Sequence, residues 1–385
     1  MENKRKIVYL LPGGLFNSGG MERVITTKAN YLAETVGYDV SIVTTEQMGR
    51  PVFYPLSSKI KLYHLNIGIH ENFGKEFYLQ KIISRFFKTK EYKRELSRLL
   101  LKLRPDITIS TLGLDIGFIN DIQDGSLKIG ELHFPGNFRQ LMANKLSKDF
   151  LSNYIAKLRT QELKDKCAKL DRLVVLTNEE KNSWDKKDNI VVIPNPLPFR
   201  SDKTSTCENK RAIAVGRLVY EKGFDWMIEI WEAVMSKHSD WVLDIYGSGD
   251  EKENLLKLVE DRGLKGYVNI KDPVSDIQNR YLEYSMLLFT SRYLDALPMV
   301  LLEAMECGLP LVSFDAPCGP KDVIVNGENG FLIKAGDIDK MVLRICELIE
   351  SPELRKNMGK GASEKAKKYE VENIMKQWID IFNSK

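Results

Sequence analysis

Cysteine is scarce in this chain of 385 residues, and the few cysteines do not cluster. Cys167, Cys207, Cys307, Cys318 and Cys346 are odd in number, far apart and without a Cys-x-x-Cys pair. That spacing suits neither a disulfide framework nor a zinc site, and it fits a reducing compartment. Excess charge is lacking too: 57 Lys+Arg against 53 Asp+Glu leave +4, too little for bulk nucleic-acid binding, so no nucleic-acid partner is expected. No apolar run approaches the length of a membrane span. Ile7–Leu11 follows Lys4-Arg5-Lys6, but it is short and stops at Pro12-Gly13-Gly14, so it does not fit a secretory signal. These absences predict a cytoplasmic protein whose membrane contact, where it has any, is peripheral on the cytoplasmic face.

What is present is alternation. Short apolar runs at Ile7–Leu11, Val40–Val43, Ile107–Ser110, Leu127–Leu132 and Leu173–Leu176 read as buried strands, with helical patterns such as Met21–Val36 and Glu91–Leu103 between several of them. Three prolines within Pro194-Asn195-Pro196-Leu197-Pro198 and a polar stretch to Arg211 mark a break. The alternation then restarts with strands at Ala212–Val215, Val242–Tyr246, Val268–Ile270, Met286–Thr290, Leu311–Phe314 and Gly330–Ile333. Repeated strand–helix units predict α/β architecture, and the restart predicts two parallel sheets. The expected domains are 1–193 and 194–365, both Rossmann-like and doubly wound, followed by a C-terminal helix at 366–385 that packs back on the first domain.

Three segments could carry chemistry. The first is a glycine-rich loop between strand and helix, Pro12-Gly13-Gly14 to Ser18-Gly19-Gly20-Met21-Glu22-Arg23. Gly19 and Gly20 would let backbone N–H groups approach a phosphate at a helix N-terminus; a plain turn is the other reading. The nicotinamide-type Gly-x-Gly-x-x-Gly and the Walker pattern are both missing. The second is Val215-Gly216-Arg217-Leu218 with Lys222-Gly223. An arginine fork and a lysine point charge, beside Gly216 at a strand end, can clamp a diphosphate and stabilise it as a leaving group. Two solvated cations are the alternative. The third runs from Ser291 to Gly308. A loop containing Asp295 enters a helix near Pro298-Met299-Val300, whose free N–H groups suit phosphate, and Gly308 suits its C-terminal cap. Glu303, one turn in, leans back towards the ligand and can accept from ribose hydroxyls. Asp295 as a helix cap and Glu303 on a solvated face are the alternatives, although the flanking Leu301-Leu302 and Ala304-Met305 argue against exposure of Glu303.

Together these segments resemble the family 4 (group 1) retaining glycosyltransferases of GT-B fold. The likeness rests on Gly216-Arg217 with Lys222-Gly223, on the acidic-x7-Glu pattern from Asp295 to Glu303, and on Gly19-Gly20-Met21-Glu22-Arg23. Ile193-Pro194-Asn195 and Val325–Leu332 also match, in order over nearly the whole chain. The resemblance implies two Rossmann-like domains facing each other across a cleft, with the acceptor on the first and a nucleotide-sugar donor on the second. It implies that Asp295 contacts the donor sugar, Glu303 holds the ribose, Arg217 and Lys222 bind the diphosphate, and Gly19-Gly20 face the donor phosphate. His133, after the strand Leu127–Leu132, takes the place of a histidine near the sugar. The family usually has Glu where this chain has Asp295, which leaves the donor sugar open. Phe314–Asp322 resembles a subset that moves hexoses or N-acetylhexosamines, commonly from uridine diphosphate, onto bacterial surface polysaccharides. The expected partners are therefore a UDP-sugar donor and a glycan or lipid-linked acceptor. No cofactor and no metal is implied; Asp337-Ile338-Asp339 reads as a helix start.

Lys81 to Arg104 carries nine Lys/Arg against Glu91 and Glu95, interleaved with Phe86, Phe87 and Leu99–Leu101. Such a segment can lie on an anionic membrane or simply present a solvated basic face. The competing enzyme reading is a nucleotide-sugar epimerase or hydrolase on the same scaffold. A dehydrogenase would need the missing glycine fingerprint, and a binding module would not need both halves of a cleft.

Overall fold

The computed structural model describes residues 4–69, 78–146, 150–185, 187–293, 295–317 and 319–384, with backbone alone at 78–82 and 144–146. Lys81 of the basic segment, Leu294 and Cys318 thus have side chains outside the described residues. The chain divides into two compact units, Met1–Pro196 with Met375–Lys385, and Leu197–Ile374.

In the first unit the order is β1 (Lys6–Leu11), α1 (Gly20–Tyr31), β2 (Asp39–Thr44), β3 (Lys61–His64), α2 (Tyr78–Leu103) and β4 (Ile107–Ser110). Then come β5 (Leu127–Leu132), α3 (Phe138–Leu146), α4 (Phe150–Cys167), β6 (Arg172–Val175), α5 (Asn178–Asn182) and β7 (Ile190–Val192). The seven strands form one parallel sheet in the order β3-β2-β1-β4-β5-β6-β7. Ile7 to Leu11 of β1 are buried without alternation, as befits a strand covered on both faces. Tyr92, Leu96 and Leu100 of α2 pack on this sheet with Leu10, Val43 and Leu132.

The second unit repeats the plan: β8 (Arg211–Val215), α6 (Phe224–Met235), β9 (Val242–Tyr246), α7 (Lys252–Asp261), β10 (Val268–Lys271), α8 (Ile277–Tyr281) and β11 (Met286–Phe289). It continues with α9 (Met299–Glu306), β12 (Leu311–Asp315), α10 (Pro320–Val323), β13 (Gly330–Lys334), α11 (Ile338–Glu350) and α12 (Pro352–Ala366). Its parallel sheet runs β10-β9-β8-β11-β12-β13. Ile228, Trp231, Leu243, Val312 and Phe314 lie in its core. The last helix, α13 (Val371–Asn383), begins in this unit and ends in the first. In each sheet the strand order reverses once, between β1 and β4 and between β8 and β11. Such reversal points open a crevice at the carboxyl ends of the strands, where ligands bind in this class of fold.

Three expectations change. Met21–Val36 is not one helix: α1 stops at Tyr31, and Leu32–Val36 winds as a wider π turn closed by Gly37 at φ +83°. Lys61–His64 is a strand although it is not an apolar run, because an edge strand needs to bury only part of its surface. Ile190–Val192, just ahead of the prolines and not among the expected strands, forms the opposite edge.

The first unit has a buried charge at its centre. Val24, Ile25, Lys28 and Ala29 form the inner stripe of α1, and Lys28 is fully buried. Its ammonium pairs with Glu131 on β5 and lies 4.2 Å from the centre of the Trp378 ring of α13, with the Tyr9 ring at 5.6 Å. Arg5 Nη1 donates to Phe382 O at 3.0 Å and so ties the end of α13 to β1. Burial, the largest single influence, pushes the Glu131 pKa up, but the charges and contacts of Lys28 and His133 together outweigh it and hold the group at about 2. Removing one partner of a buried pair strands the other charge at a cost of about 3–5 kcal/mol. Because the folded pKa is depressed, this stabilisation is present above the ordinary value of 4.5 and fades as pH falls towards about 2. Glu131→Gln is therefore expected to lower stability strongly at neutral pH in urea titrations, with the gap to wild type narrowing below about pH 4.5. A gap independent of pH would contradict the pairing.

Candidate functional site in the loops after β8 and β11

β8 and β11 are neighbours at the reversal point, so the loops that leave them emerge side by side. Gly216, straight after β8, donates its N–H to Tyr246 O at 3.0 Å, and a side chain there would press on the Phe224 ring at 3.3 Å. Arg217 is exposed at the strand end. A short turn, Tyr220–Lys222, closes at Gly223 with φ +65°, where a Cβ would collide with the Thr290 carbonyl. Only glycine fits that place. The turn brings Lys222 Nζ to 2.5 Å from Asp295 Oδ1, both side chains being largely enclosed at 18% and 13% exposure. Ser291 donates to the other oxygen of Asp295. Asp295 is therefore engaged with Lys222 and Ser291 and does not cap the helix.

That helix, α9, starts after Pro298, and among the described residues no side chain caps its first turn. The N–H groups at Met299 and Val300 stand at the positive end of that helix's dipole, a few residues after Asp295 in the chain. Glu303 is 3% exposed and accepts from the Tyr281 hydroxyl at 3.1 Å, so it is not on a solvated face. Gly308, at φ +73°, ends the helix as expected of a left-handed cap. Asp337 caps α11 by accepting from Lys340 N at 3.0 Å, which accounts for that Asp-x-Asp.

In the first unit Gly19 is the N-cap of α1 and Gly20 its first residue. No side chain caps this turn either, and a Cβ on Gly19 would run into the Glu22 carboxylate. His133 follows β5 and is nearly buried, its Nε2 lying 3.2 Å from Glu131 Oε1 but out of line for a hydrogen bond. The buried Lys28–Glu131 pair thus stands directly behind His133. Sequence reasoning passed over Lys28, Glu131, Ser291 and Tyr281. Lys28 alone had a signal, a charge on the apolar stripe of α1.

The loops after β1, β8 and β11 carry the glycines, cations and carboxylates that the sequence singled out, and comparison with known proteins identifies the family. The family model described as glycosyl transferases group 1 matches residues 199–365. An uncharacterized glycosyltransferase of Haemophilus influenzae is 30% identical over 371 residues, 95% of this chain and 96% of that one. The amylovoran biosynthesis glycosyltransferase AmsD of Erwinia amylovora is 30% identical over 385 residues, 97% of this chain and 99% of its own. The fold is that of Staphylococcus aureus TarM, solved as a G117R mutant with Fondaparinux, alpha-GlcNAc-glycerol and UDP, at TM-score 0.78 and 18% identity over 99% of this chain and 100% of that one. The chain belongs to the group 1 glycosyltransferases, and its two units have the GT-B architecture.

Proposed function

We propose that this glycosyltransferase is a retaining enzyme that moves a hexose or N-acetylhexosamine from a UDP-sugar to a glycan or lipid-linked acceptor during assembly of a cell-surface polysaccharide. The observation that carries the reading is the Lys222–Asp295 contact at the uncapped N-terminus of α9, with Glu303 buried one turn in. Lys222, Arg217 and the α9 amides suit a diphosphate, whose charge grows as the glycosidic bond breaks. They supply the neutralisation a divalent ion would otherwise provide, so the reaction needs no metal. Glu303 takes the ribose hydroxyls, and Asp295 the hydroxyls of the donor sugar. In the first unit, the Gly19-Gly20 amides suit a phosphate and His133 suits a sugar hydroxyl. The names of relatives support the acceptor class: AmsD serves amylovoran biosynthesis, and a 30% identical protein of S. aureus, matched over 44% of its length, is a poly(ribitol-phosphate) alpha-N-acetylglucosaminyltransferase.

Retention needs no protein nucleophile if the leaving phosphate guides the acceptor to the face it departs from. Asp295, which the diphosphate releases from Lys222 while Ser291 still holds it, then orients the sugar and is never glycosylated. An α-configured UDP-sugar should give an α-linked product by NMR, with turnover persisting in EDTA. A β-linked product would contradict retention, and loss of turnover on chelation would contradict metal independence.

We also infer a peripheral membrane contact through α2. No described helix is long and apolar enough to cross a bilayer. On α2 the inner residues Tyr92, Leu96 and Leu100 are buried, while Phe86, Phe87 and Leu101 are exposed among basic residues. Lys93 is paired with Asp121, an acid from outside the segment, and Arg98 with Glu95, so not all of the segment's cations are unpaired. Co-sedimentation with vesicles of anionic lipid is expected at low salt and should weaken at high salt, since screening acts within roughly 10 Å at 0.1 M. No binding at low salt would assign the basic residues to solvent.

A further inference from the structure

The turn that presents Lys222 is too short to hold itself. Within itself the turn closes on two backbone hydrogen bonds, Lys222 N to Val219 O at 3.0 Å and Gly223 N to Tyr220 O at 3.1 Å. What fixes it is the segment just beyond β11. Thr290 Oγ1 donates to Lys222 O at 3.1 Å and to Gly223 O at 2.9 Å. Arg292 N donates to Glu221 O at 2.8 Å, and the one proton of Ser291 Oγ, given mainly to Asp295, is shared with the same carbonyl at 3.2 Å. Arg292 Nη1 completes the set by donating to Tyr220 O at 2.6 Å. Four successive carbonyls, from 220 to 223, are gripped by three successive residues.

Among the three, Arg292 does something the others cannot. Its guanidinium forks onto Asp225 in the first turn of α6, with Nη1 to Oδ1 at 2.8 Å and Nη2 to Oδ2 at 2.6 Å. Its two neighbours in stacking are the rings of Tyr220 at 4.1 Å and Trp226 at 3.9 Å. The Arg292 side chain is 7% exposed in this ion pair, so it is committed to α6 and the turn. Only a planar, multiply donating cation satisfies a carbonyl, a carboxylate and two ring faces together; an ammonium supplies a point charge.

We infer that Arg292 is a positioning residue for donor binding: it locks the 220–223 turn between β11 and α6, and thereby places the Lys222 ammonium at the diphosphate position without touching the donor. The inference rests on the proposed role of Lys222. It predicts that Arg292 acts through Lys222 and has no effect of its own on the ligand.

The test is a double-mutant cycle read as UDP affinity in calorimetry, using Lys222→Ala, Arg292→Lys and the double variant. Arg292→Lys should weaken UDP on the order of tenfold, and the double variant should bind no worse than Lys222→Ala alone, since coupled residues do not add. If the two losses multiply, or Arg292→Lys binds as wild type, Arg292 is not a positioning residue and the clamp role of Lys222 stands by itself. If Lys222→Ala leaves UDP affinity unchanged, the clamp reading fails and the inference falls with it. Should Arg292→Lys not fold, Asp225→Asn removes the far end of the fork from a half-exposed site and must show the same lack of additivity with Lys222→Ala; additive loss there overturns the inference.

Discussion

A lysine and an aspartate 73 positions apart in sequence meet at the carboxyl edge of the second sheet, and much of the proposed chemistry depends on that meeting. It is a consequence of topology. Because β8 and β11 pair side by side at the point where strand order reverses, whatever follows them must converge. Gly223, with its left-handed backbone, lets the first loop press against the second closely enough for the side chains to touch. The contact keeps the lysine neutralised and in place. In the proposed reaction a diphosphate, with more negative charge than one carboxylate, displaces Asp295 from the ammonium and frees it for the sugar hydroxyls.

The rest of the second unit supports that point. The start of α9, a few residues after Asp295, adds the positive end of a helix, and Glu303 sits on the buried side of the same helix, accepting from Tyr281. A donor bound there would be recognised from ribose to sugar along one helix and two loops. In the first unit, Lys28–Glu131 plays a comparable role for His133, joining the helix of the glycine loop, the strand of the histidine and the last helix through Trp378.

Much of this was legible in the sequence because parallel strands buried on both faces are written as unbroken apolar runs. Ile107–Ser110, Leu127–Leu132 and Val242–Tyr246 have the very limits read from the residues. Lys61–His64 carries no such run and was passed over; Ile190–Val192 was hidden by the prolines after it. For the site, spacing singled out Arg217, Lys222, Asp295 and Glu303 because motifs are local. Contacts between motifs are not local. The pairing of Lys222 with Asp295, the Tyr281–Glu303 hydrogen bond and the grip of Arg292 depend on which strands are neighbours. Arg292 stood inside the quoted segment, yet only its surroundings distinguish it from a solvated cation.

The central claim is that the second unit holds a nucleoside diphosphate, with Glu303 accepting from the ribose. It is tested most directly by UDP calorimetry on Glu303→Ala beside wild type. Losing a hydrogen bond to a charged acceptor costs roughly 1.5–3 kcal/mol, so affinity should fall about ten- to a hundredfold. UDP binding that is unchanged in Glu303→Ala would contradict the account.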